Sequence, residues 1–191
     1  ESEIVFITPY YVPGKSGVQL IRDLVAKGVR VIILTNSLAS NNHVPVHSAY
    51  ARYRRDVIKA GAELYEVRAN AARELADDEK SPDVLTLHTK VFLIDRRYMF
   101  VGSLNLDPRS IDINSEMGLL IDSPELGEAL AEGIEQRLPE LAYRVERDER
   151  GKLAWRGNID GVEVVETSEP LASGWKKFTA FLLKIVPEGQ L

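Results

Sequence analysis

The segment VRVIILTN at residues 29–36 constrains the fold most, because it contains a nearly continuous apolar run centred on residues 31–34. Such a run is typical of a parallel strand that is covered on both faces. The hydrophobic periodicity predicts amphipathic helices at 16–28 and 49–61, and further strands at 3–12 and 62–67. This alternation predicts an α/β fold with a mixed, largely parallel sheet and helices on its faces.

The second half of the chain adds a cluster of strands. Residues 68–83 are polar and predict a surface loop with a turn of helix. The runs at 84–95 and 98–105 predict a hairpin, and a further strand is expected at 115–122. An acidic helix follows at 123–138, with Ser123 as its N-cap and a proline at its first helical position.

We expect two units in the chain. Residues 1–142 form the α/β catalytic unit, and residues 143–191 form an appendage with short strands and an amphipathic helix at 170–186. The chain does not begin with Met, and its first residues already resemble a core strand rather than a signal peptide. We therefore expect Glu1 to be a cut point inside a longer protein.

Composition excludes several classes of site. The 191 residues contain no cysteine, which excludes disulfides and thiolate metal ligands. The net charge of -5 disfavours a protein that holds nucleic acid by bulk charge. No run approaches the ~18–20 apolar residues of a membrane span.

A histidine and a lysine lie two residues apart in the predicted strand at 84–95. Period-two alternation would place His88 and Lys90 on one strand face and Asp95 on the other. An ammonium neutralises phosphate oxygens, and an imidazole with a pKa of ~6.5 can attack phosphorus or protonate a leaving oxygen. Taken singly, each residue is also compatible with an exposed edge strand.

The next predicted strand ends in Gly102-Ser-Leu-Asn105. Glycine lets the backbone approach an anion, and the hydroxyl and amide groups donate further hydrogen bonds. The full pattern, H-x-K-x4-D-x6-G-S-x-N, resembles the HKD motif of the phospholipase D superfamily. The segments TPYYVPG, ARYRRDVIKAGAELYE and LDPRSIDINSEMGLLI are similar to the C-terminal half of bacterial cardiolipin synthases. The resemblance implies a phospholipase D-like α-β-α sandwich, with one repeat of the usual two.

The resemblance also implies roles for individual residues. One HKD histidine attacks a phosphodiester to give a phosphohistidine, and the histidine of a second motif protonates the leaving alcohol. His88 is the motif histidine here; the order of motifs in the family implies that it is the general acid, whereas in a symmetric dimer it could be acid or nucleophile. The remaining implied roles are phosphate binding by Lys90, Asn105 and Ser103, orientation of the imidazole by Glu116, and turn bracing by Asp95 with Arg96 or Arg97, while Gly102 is structural. No metal or cofactor is required, because lysines supply the positive charge.

This chain has one motif where the family usually has two, so it provides half an active site. The resemblance implies a second HKD half, from the same longer chain or from a homodimer, and a phospholipid substrate. It also implies peripheral contact with the cytoplasmic side of a bacterial inner membrane. The alternatives to a phosphatidyltransferase are a phospholipase D-type hydrolase, an HKD nuclease and a vestigial regulatory half.

Histidines also occur in the predicted loop at 37–48. His43 and His47 lie four residues apart, but Pro45 between them and the lack of an acidic partner argue against a metal pair. A solvated loop is expected, with a substrate-loop role as the alternative.

Other polar and aromatic residues leave their roles open. Tyr10 and Tyr11 end a strand at the carboxyl edge of the sheet, as core residues or as pocket wall. Arg109 is expected to pair with Asp107, with a phosphate contact as the alternative.

Two helical faces are distinctive. A solvated basic face is expected on the helix at 49–61, with a lipid or nucleic-acid patch as the alternative; it is formed by Arg52, Arg54, Arg55 and Lys59. The C-terminal helix has an apolar stripe that could lie on an anionic membrane or cap the core. Its members are Trp175, Phe178, Leu182 and Ile185, with Lys176, Lys177 and Lys184 off the stripe.

Overall fold

Nine strands form one sheet in the computed structural model, which describes residues 2–76, 82–159 and 161–185. The strands are β1 (Glu3–Ile7), β2 (Arg30–Asn36), β3 (Glu63–Val67), β4 (Val91–Ile94), β5 (Tyr98–Gly102), β6 (Gly118–Asp122), β7 (Ala142–Arg147), β8 (Leu153–Ile159) and β9 (Val162–Glu166). The helices are α1 (Gly14–Ala26), α2 (Val44–Lys59), α3 (Ala71–Ala76), α4 (Pro108–Asp112), α5 (Pro124–Leu141) and α6 (Gly174–Leu182), which continues into a 3-10 turn at Leu183–Ile185. None of these described helices is long and apolar enough to cross a membrane.

The order of strands in the sheet is β6-β5-β4-β1-β2-β3-β7-β8-β9. The mixed sheet is confirmed, but the prediction that it is largely parallel is wrong. Only β1–β2 and β2–β3 pair in parallel, and the other six pairs are antiparallel. The reason is connectivity. Parallel neighbours need a crossover, which α1 and α2 provide, whereas short turns join β4 to β5 and β8 to β9.

Helices cover both faces of the sheet. On one face Ile21 of α1 and Val57 of α2 pack with Ile33 in a buried cluster. On the other face Leu138 of α5 packs with Ile32 in a second cluster. Because successive strand residues point to opposite faces, β2 supplies both cores. The predicted α-β-α sandwich is confirmed.

Two predicted strands are shorter than expected. β1 ends at Ile7, ahead of Pro9, and β4 begins only at Val91. The pairing of β1 with β4 stops at the pair Ile7–Val91. The Leu87 backbone bonds instead to the Asn36 side chain, through Leu87 N–H to Oδ1 (2.9 Å) and Nδ2–H to Leu87 O (3.0 Å). His88 and Lys90 therefore precede β4, and the prediction that they lie on one face of a strand is wrong.

The prediction of loop across 37–48 is also wrong from Val44 onward, where α2 begins. Pro45 lies in its first turn, where the missing N–H and the fixed φ of proline are tolerated. α3 corresponds to the turn of helix expected within 68–83, and residues 77–81 of that segment lie outside the described part of the chain.

The strands and the helix predicted after residue 142 are present as β7, β8, β9 and α6. β7 pairs with β3, so the same sheet continues into this segment. Trp155 of β8 is only 3% exposed and belongs to the cluster around α1 and α2. The division of the chain at residue 142 stays a prediction.

Candidate active site

Three chain segments meet at one edge of the sheet, where β5 ends and β4 and β6 begin. The Gly102 N–H donates to Lys90 O (3.2 Å), and Gly102 pairs with Gly118 of β6. A Cβ on Gly102 would lie 2.4 Å from Met117 O, so only glycine allows this approach. Lys90, Ser103 and Glu116 thus become neighbours although they are far apart in sequence.

Lys90 turns its ammonium toward the backbone of the motif. Its Nζ donates to His88 O at 2.9 Å. Partial burial lowers the pKa of Lys90, and the negative charges of Glu116 and Asp107 oppose that shift. The His88 side chain is exposed, and its ring forms no hydrogen bond with any residue that the structure describes. Both ring nitrogens are therefore open to a substrate.

Glu116 is held by polar groups around it. Its Oε2 accepts a hydrogen bond from Ser103 Oγ, and its Oε1 accepts from Asn114 Nδ2 at 3.2 Å. The hydrogen bond from Ser103, with a smaller contribution from the Lys90 charge, lowers the pKa of Glu116. Glu116 is thus a carboxylate beside a cation. Since its hydrogen bonds go to Ser103 and Asn114, its role in orienting His88 stays a prediction.

Asn105 lies further into the same edge. Its Nδ2 donates to Ser110 Oγ at 3.3 Å, and its buried Oδ1 has no partner within the described ranges. Ser110 is in α4, which Asp107 caps by accepting from Ser110 N–H at 2.9 Å. Burial raises the pKa of Asp107.

A cavity of about 290 Å³ opens beside Asn105. Its lining residues are Tyr10, His43, Val46, Asn105, Asp107, Arg109, Ser110 and Asn114. The cavity joins the motif to the loop after β1 and to the start of α2.

The structure settles several roles that the sequence left open. Tyr10 lines the cavity, and its hydroxyl donates to Asn42 Oδ1 (2.8 Å), whereas Tyr11 is 4% exposed in the core. The expected pair of Arg109 with Asp107 is wrong. The Asp107 carboxylate caps α4, and the Arg109 guanidinium forms no ion pair with any residue in the described ranges.

The two additional histidines lie in different environments. His43 lines the cavity, whereas His47 is 1% exposed and its Nε2 lies 2.9 Å from Arg54 Nη2. No group of three metal-ligating side chains forms in the described ranges.

Asp95 and Arg54 also differ from their predictions. Asp95 does brace a region near the turn, but its carboxylate accepts from Glu3 N–H (2.8 Å) instead of pairing with Arg96 or Arg97. Asp95 and Arg96 both have positive φ, as the tight β4–β5 turn requires. Arg54 is fully buried, so it is not part of a solvated basic face.

Asn36 is not among the site residues predicted from the sequence, yet its side chain holds the segment that leads into His88. Asn36 is 1% exposed at the carboxyl end of β2 and also donates to Pro9 O. The available signal was a polar residue at the end of a buried strand, the position where sites in parallel sheets lie.

Comparison with known proteins agrees with the motif. The family described as "Cardiolipin synthase, PLD-like domain" matches residues 1–138. Cardiolipin synthase C of Escherichia coli (strain K12) is 35% identical over 187 residues, which are 96% of this chain and 40% of that protein. An uncharacterized protein of Helicobacter pylori (strain 26695) is 29% identical over 188 residues, 98% of this chain and 37% of that protein. The chain thus spans about two fifths of these relatives.

Solved structures share the fold. Nuc of Salmonella typhimurium, a phospholipase D family member, has a TM-score of 0.54 at 18% identity, over 74% of this chain and 82% of that one. Phosphatidylserine synthase of Haemophilus influenzae Rd KW20 has a TM-score of 0.56 at 22% identity, over 73% of this chain and 33% of that one. With its HKD motif at the sheet edge and the family model over residues 1–138, this chain belongs to the cardiolipin synthase branch of the phospholipase D-like domains.

Proposed function

We propose that this chain is one catalytic half of a phosphatidyltransferase, which moves a phosphatidyl group from one phospholipid to the hydroxyl of another through a phosphohistidine. One observation supports this most directly. The Gly102 contacts with Lys90 and Gly118 bring the Lys90 ammonium and the Glu116 carboxylate to the same end of the sheet, on the segment that also carries the His88 imidazole. These are the groups that phosphodiester chemistry needs where no metal supplies charge.

Lys90 and Asn105 are the proposed phosphate ligands. The lowered pKa of Lys90 indicates a partly desolvated ammonium, which attracts an anion more strongly than a fully hydrated one. The Ser110 hydroxyl can donate as well as accept, so a rotated Asn105 amide would offer its N–H groups to a phosphate oxygen. Arg109, which lines the same cavity, would attract the headgroup of the lipid.

The reaction needs two imidazoles. In the first step one imidazole nitrogen attacks phosphorus, the bond to the leaving alcohol breaks, and the other imidazole gives the departing oxygen its proton. In the second step the acceptor hydroxyl returns a proton to that imidazole, and its oxygen displaces the histidine from phosphorus. One ring cannot be nucleophile and acid in the same step. We assign the acid to His88 and the nucleophile to a second HKD half, and in a symmetric dimer either ring could serve.

The surface beside the site is suited to such a partner. β6 lies at the end of the sheet, and its neighbourhood exposes large apolar side chains. Met117 is 82% exposed, Leu119 68% and Leu120 87%. An outermost strand with exposed apolar side chains favours association with another chain or domain.

A hydrolase is the second candidate. The His88 ring is exposed, so water could replace the alcohol in the second step. A nuclease is disfavoured by the net charge of -5.

The test is mass spectrometry of lipids after incubation of the chain with vesicles of phosphatidylglycerol and phosphatidylethanolamine. Cardiolipin would support the transferase, and phosphatidic acid the hydrolase. The chain is assayed alone and as a tandem fusion of two copies, which supplies two motifs. His88→Ala in both copies should abolish the product, and Lys152→Ala, at an exposed lysine in the β7–β8 turn, should not. Product that persists without His88 would refute the proposal.

A further inference from the structure

The C-terminal helix α6 presents an unpartnered apolar surface. Trp175 is 75% exposed, Phe178 50%, Phe181 67% and Ile185, in the following 3-10 turn, 84%. We call these four side chains the α6 face. In α6 the buried residue is Ala180, on the side that faces the protein. The α6 face therefore does not cap the core, one of the two roles that its sequence allows.

The α6 face is accompanied by positive charge. Residues 174–185 contain three lysines and no acidic residue, although the chain as a whole has a net charge of -5. The lysines are Lys176, whose ammonium is hydrogen bonded to the protein backbone, and Lys177 and Lys184, which supply the charge toward the surface. A segment with exposed aromatic side chains and local positive charge, on a negatively charged protein, is complementary to an anionic lipid surface.

A series of hydrogen bonds connects α6 to the segment that carries the motif histidine. Lys176 Nζ donates to Ala39 O (3.0 Å) and Asn41 O (2.8 Å), which fixes α6 to the loop between β2 and α2. The same loop accepts a hydrogen bond at Ser40 O from Thr86 Oγ1 (3.0 Å), two residues before His88. The loop ends at His43, which lines the cavity beside Asn105.

We propose that the α6 face docks on an anionic lipid bilayer, with α6 lying in the interface and the active site edge beside it. The choice of a lipid partner rests on the proposed function. At nine residues α6 is too short to span a bilayer, for which ~20 residues are needed. Apolar side chains of an interfacial helix enter the headgroup boundary while lysines bind lipid phosphates.

The chain has a built-in reporter for this contact. It contains two tryptophans, of which Trp175 lies on the α6 face and Trp155 is buried, with Nε1–H donating to Glu66 Oε2 at 2.8 Å. Docking should shift the emission of Trp175 to shorter wavelength and leave Trp155 unchanged. The probe is a vesicle of phosphatidylglycerol and phosphatidylcholine, compared with one of phosphatidylcholine alone.

Variants identify the surface responsible. Phe178→Ser with Phe181→Ser keeps Trp175 as reporter and should lower vesicle partitioning by about tenfold or more. Lys184→Ala should lower it by about fivefold, and added salt should lower it further. The matched controls, at exposed positions outside α6, are Leu126→Ser with Val162→Ser, and Lys152→Ala, and these should bind as the wild type does.

His88→Ala should also bind vesicles normally, so docking and chemistry are tested separately. The inference is overturned if anionic vesicles leave Trp175 emission unchanged, or if the control variants lose binding equally. It is also overturned if the Phe178 and Phe181 changes abolish self-association in sedimentation velocity without affecting vesicle binding, since a second copy would then be the occupant. The proposed function is tested independently, by lipid product formation from detergent-dispersed substrate, which does not require vesicle docking.

Discussion

Replacing Arg54 by methionine removes a buried guanidinium from the centre of a charged network. Arg54 is 2% exposed; its Nε lies 2.9 Å from Glu66 Oε1, and its Nη1 donates to Glu169 Oε1 at 2.7 Å. The guanidinium also lies close to a histidine ring, with Nη2 2.9 Å from His47 Nε2. Burial alone would lower the pKa of Arg54, but the attraction of Glu66 and Glu169 outweighs burial and raises it.

Without the guanidinium, Glu66 would be a fully buried carboxylate with only neutral donors. Tyr50 Oη and Trp155 Nε1 each donate to it at 2.8 Å. Removing one partner of a buried ion pair costs about 3–5 kcal/mol, because the other charge remains desolvated. For a protein of this size each kcal/mol shifts Tm by about 2–4 °C, so we expect a decrease of roughly 6–20 °C.

Urea unfolding followed by tryptophan fluorescence measures this cost. Arg55→Met is the matched control, since Arg55 is the exposed neighbour on the same helix and should lose little stability. The double variant Arg54→Met with Glu66→Gln removes both charges and should recover a large part of the loss. The reasoning is refuted if Arg54→Met stays within about 1 kcal/mol of the wild type, or if the double variant is no more stable than the single one.

Three further predictions concern charge and close packing. The guanidinium beside Glu169 outweighs its burial and lowers its pKa from 4.5 to about 2, so about 3 kcal/mol of stability should be lost as pH falls from 4.5 toward 2 and the carboxylate is protonated; Glu169→Gln should flatten this profile in urea titrations. Partial burial lowers the pKa of Lys90. As pH rises, the affinity for inorganic phosphate measured by calorimetry should therefore begin to fall before the ordinary lysine pKa of ~10.4 is reached. Lys90→Arg should still bind phosphate above that pH. Gly102→Ala would place a Cβ 2.4 Å from a backbone oxygen and should cost about 1–3 kcal/mol, whereas Gly133→Ala, with no atom within 4 Å, should cost nothing in the same thermal melts.

Local patterns in the sequence predicted the elements that local patterns control. The apolar run of β2, the Ser123 cap of α5 and the tight turn between β4 and β5 all depend on residues close in sequence. The length of a strand depends also on its neighbour. β4 begins at Val91 because its partner β1 has ended at Ile7, and the sequence pattern of 84–95 contains no information about where β1 ends.

The same distinction applies to the candidate site. Motif spacing identified Lys90 and Ser103, and the family resemblance added Glu116; the sheet brings the three together. It could not identify Asn36, which supports Leu87 from 51 residues away. Arg54 shows the opposite error. Its sequence neighbours are charged and polar, so a solvated side chain was predicted. Its partners Glu66 and Glu169 lie outside its own helix.

The buried network, the α6 face and the site edge form a closed series of contacts. Arg54 of α2 holds Glu169, five residues before α6 begins, and α6 returns through Lys176 to the loop that leads into α2. Each link fixes the next, so the position of α6 depends on charges buried beneath it rather than on its own exposed surface. A membrane that binds the α6 face would therefore contact a helix that is hydrogen bonded to the loop beside Thr86, two residues before the motif histidine. Substitutions in the network should thus weaken vesicle docking without altering any residue that contacts lipid.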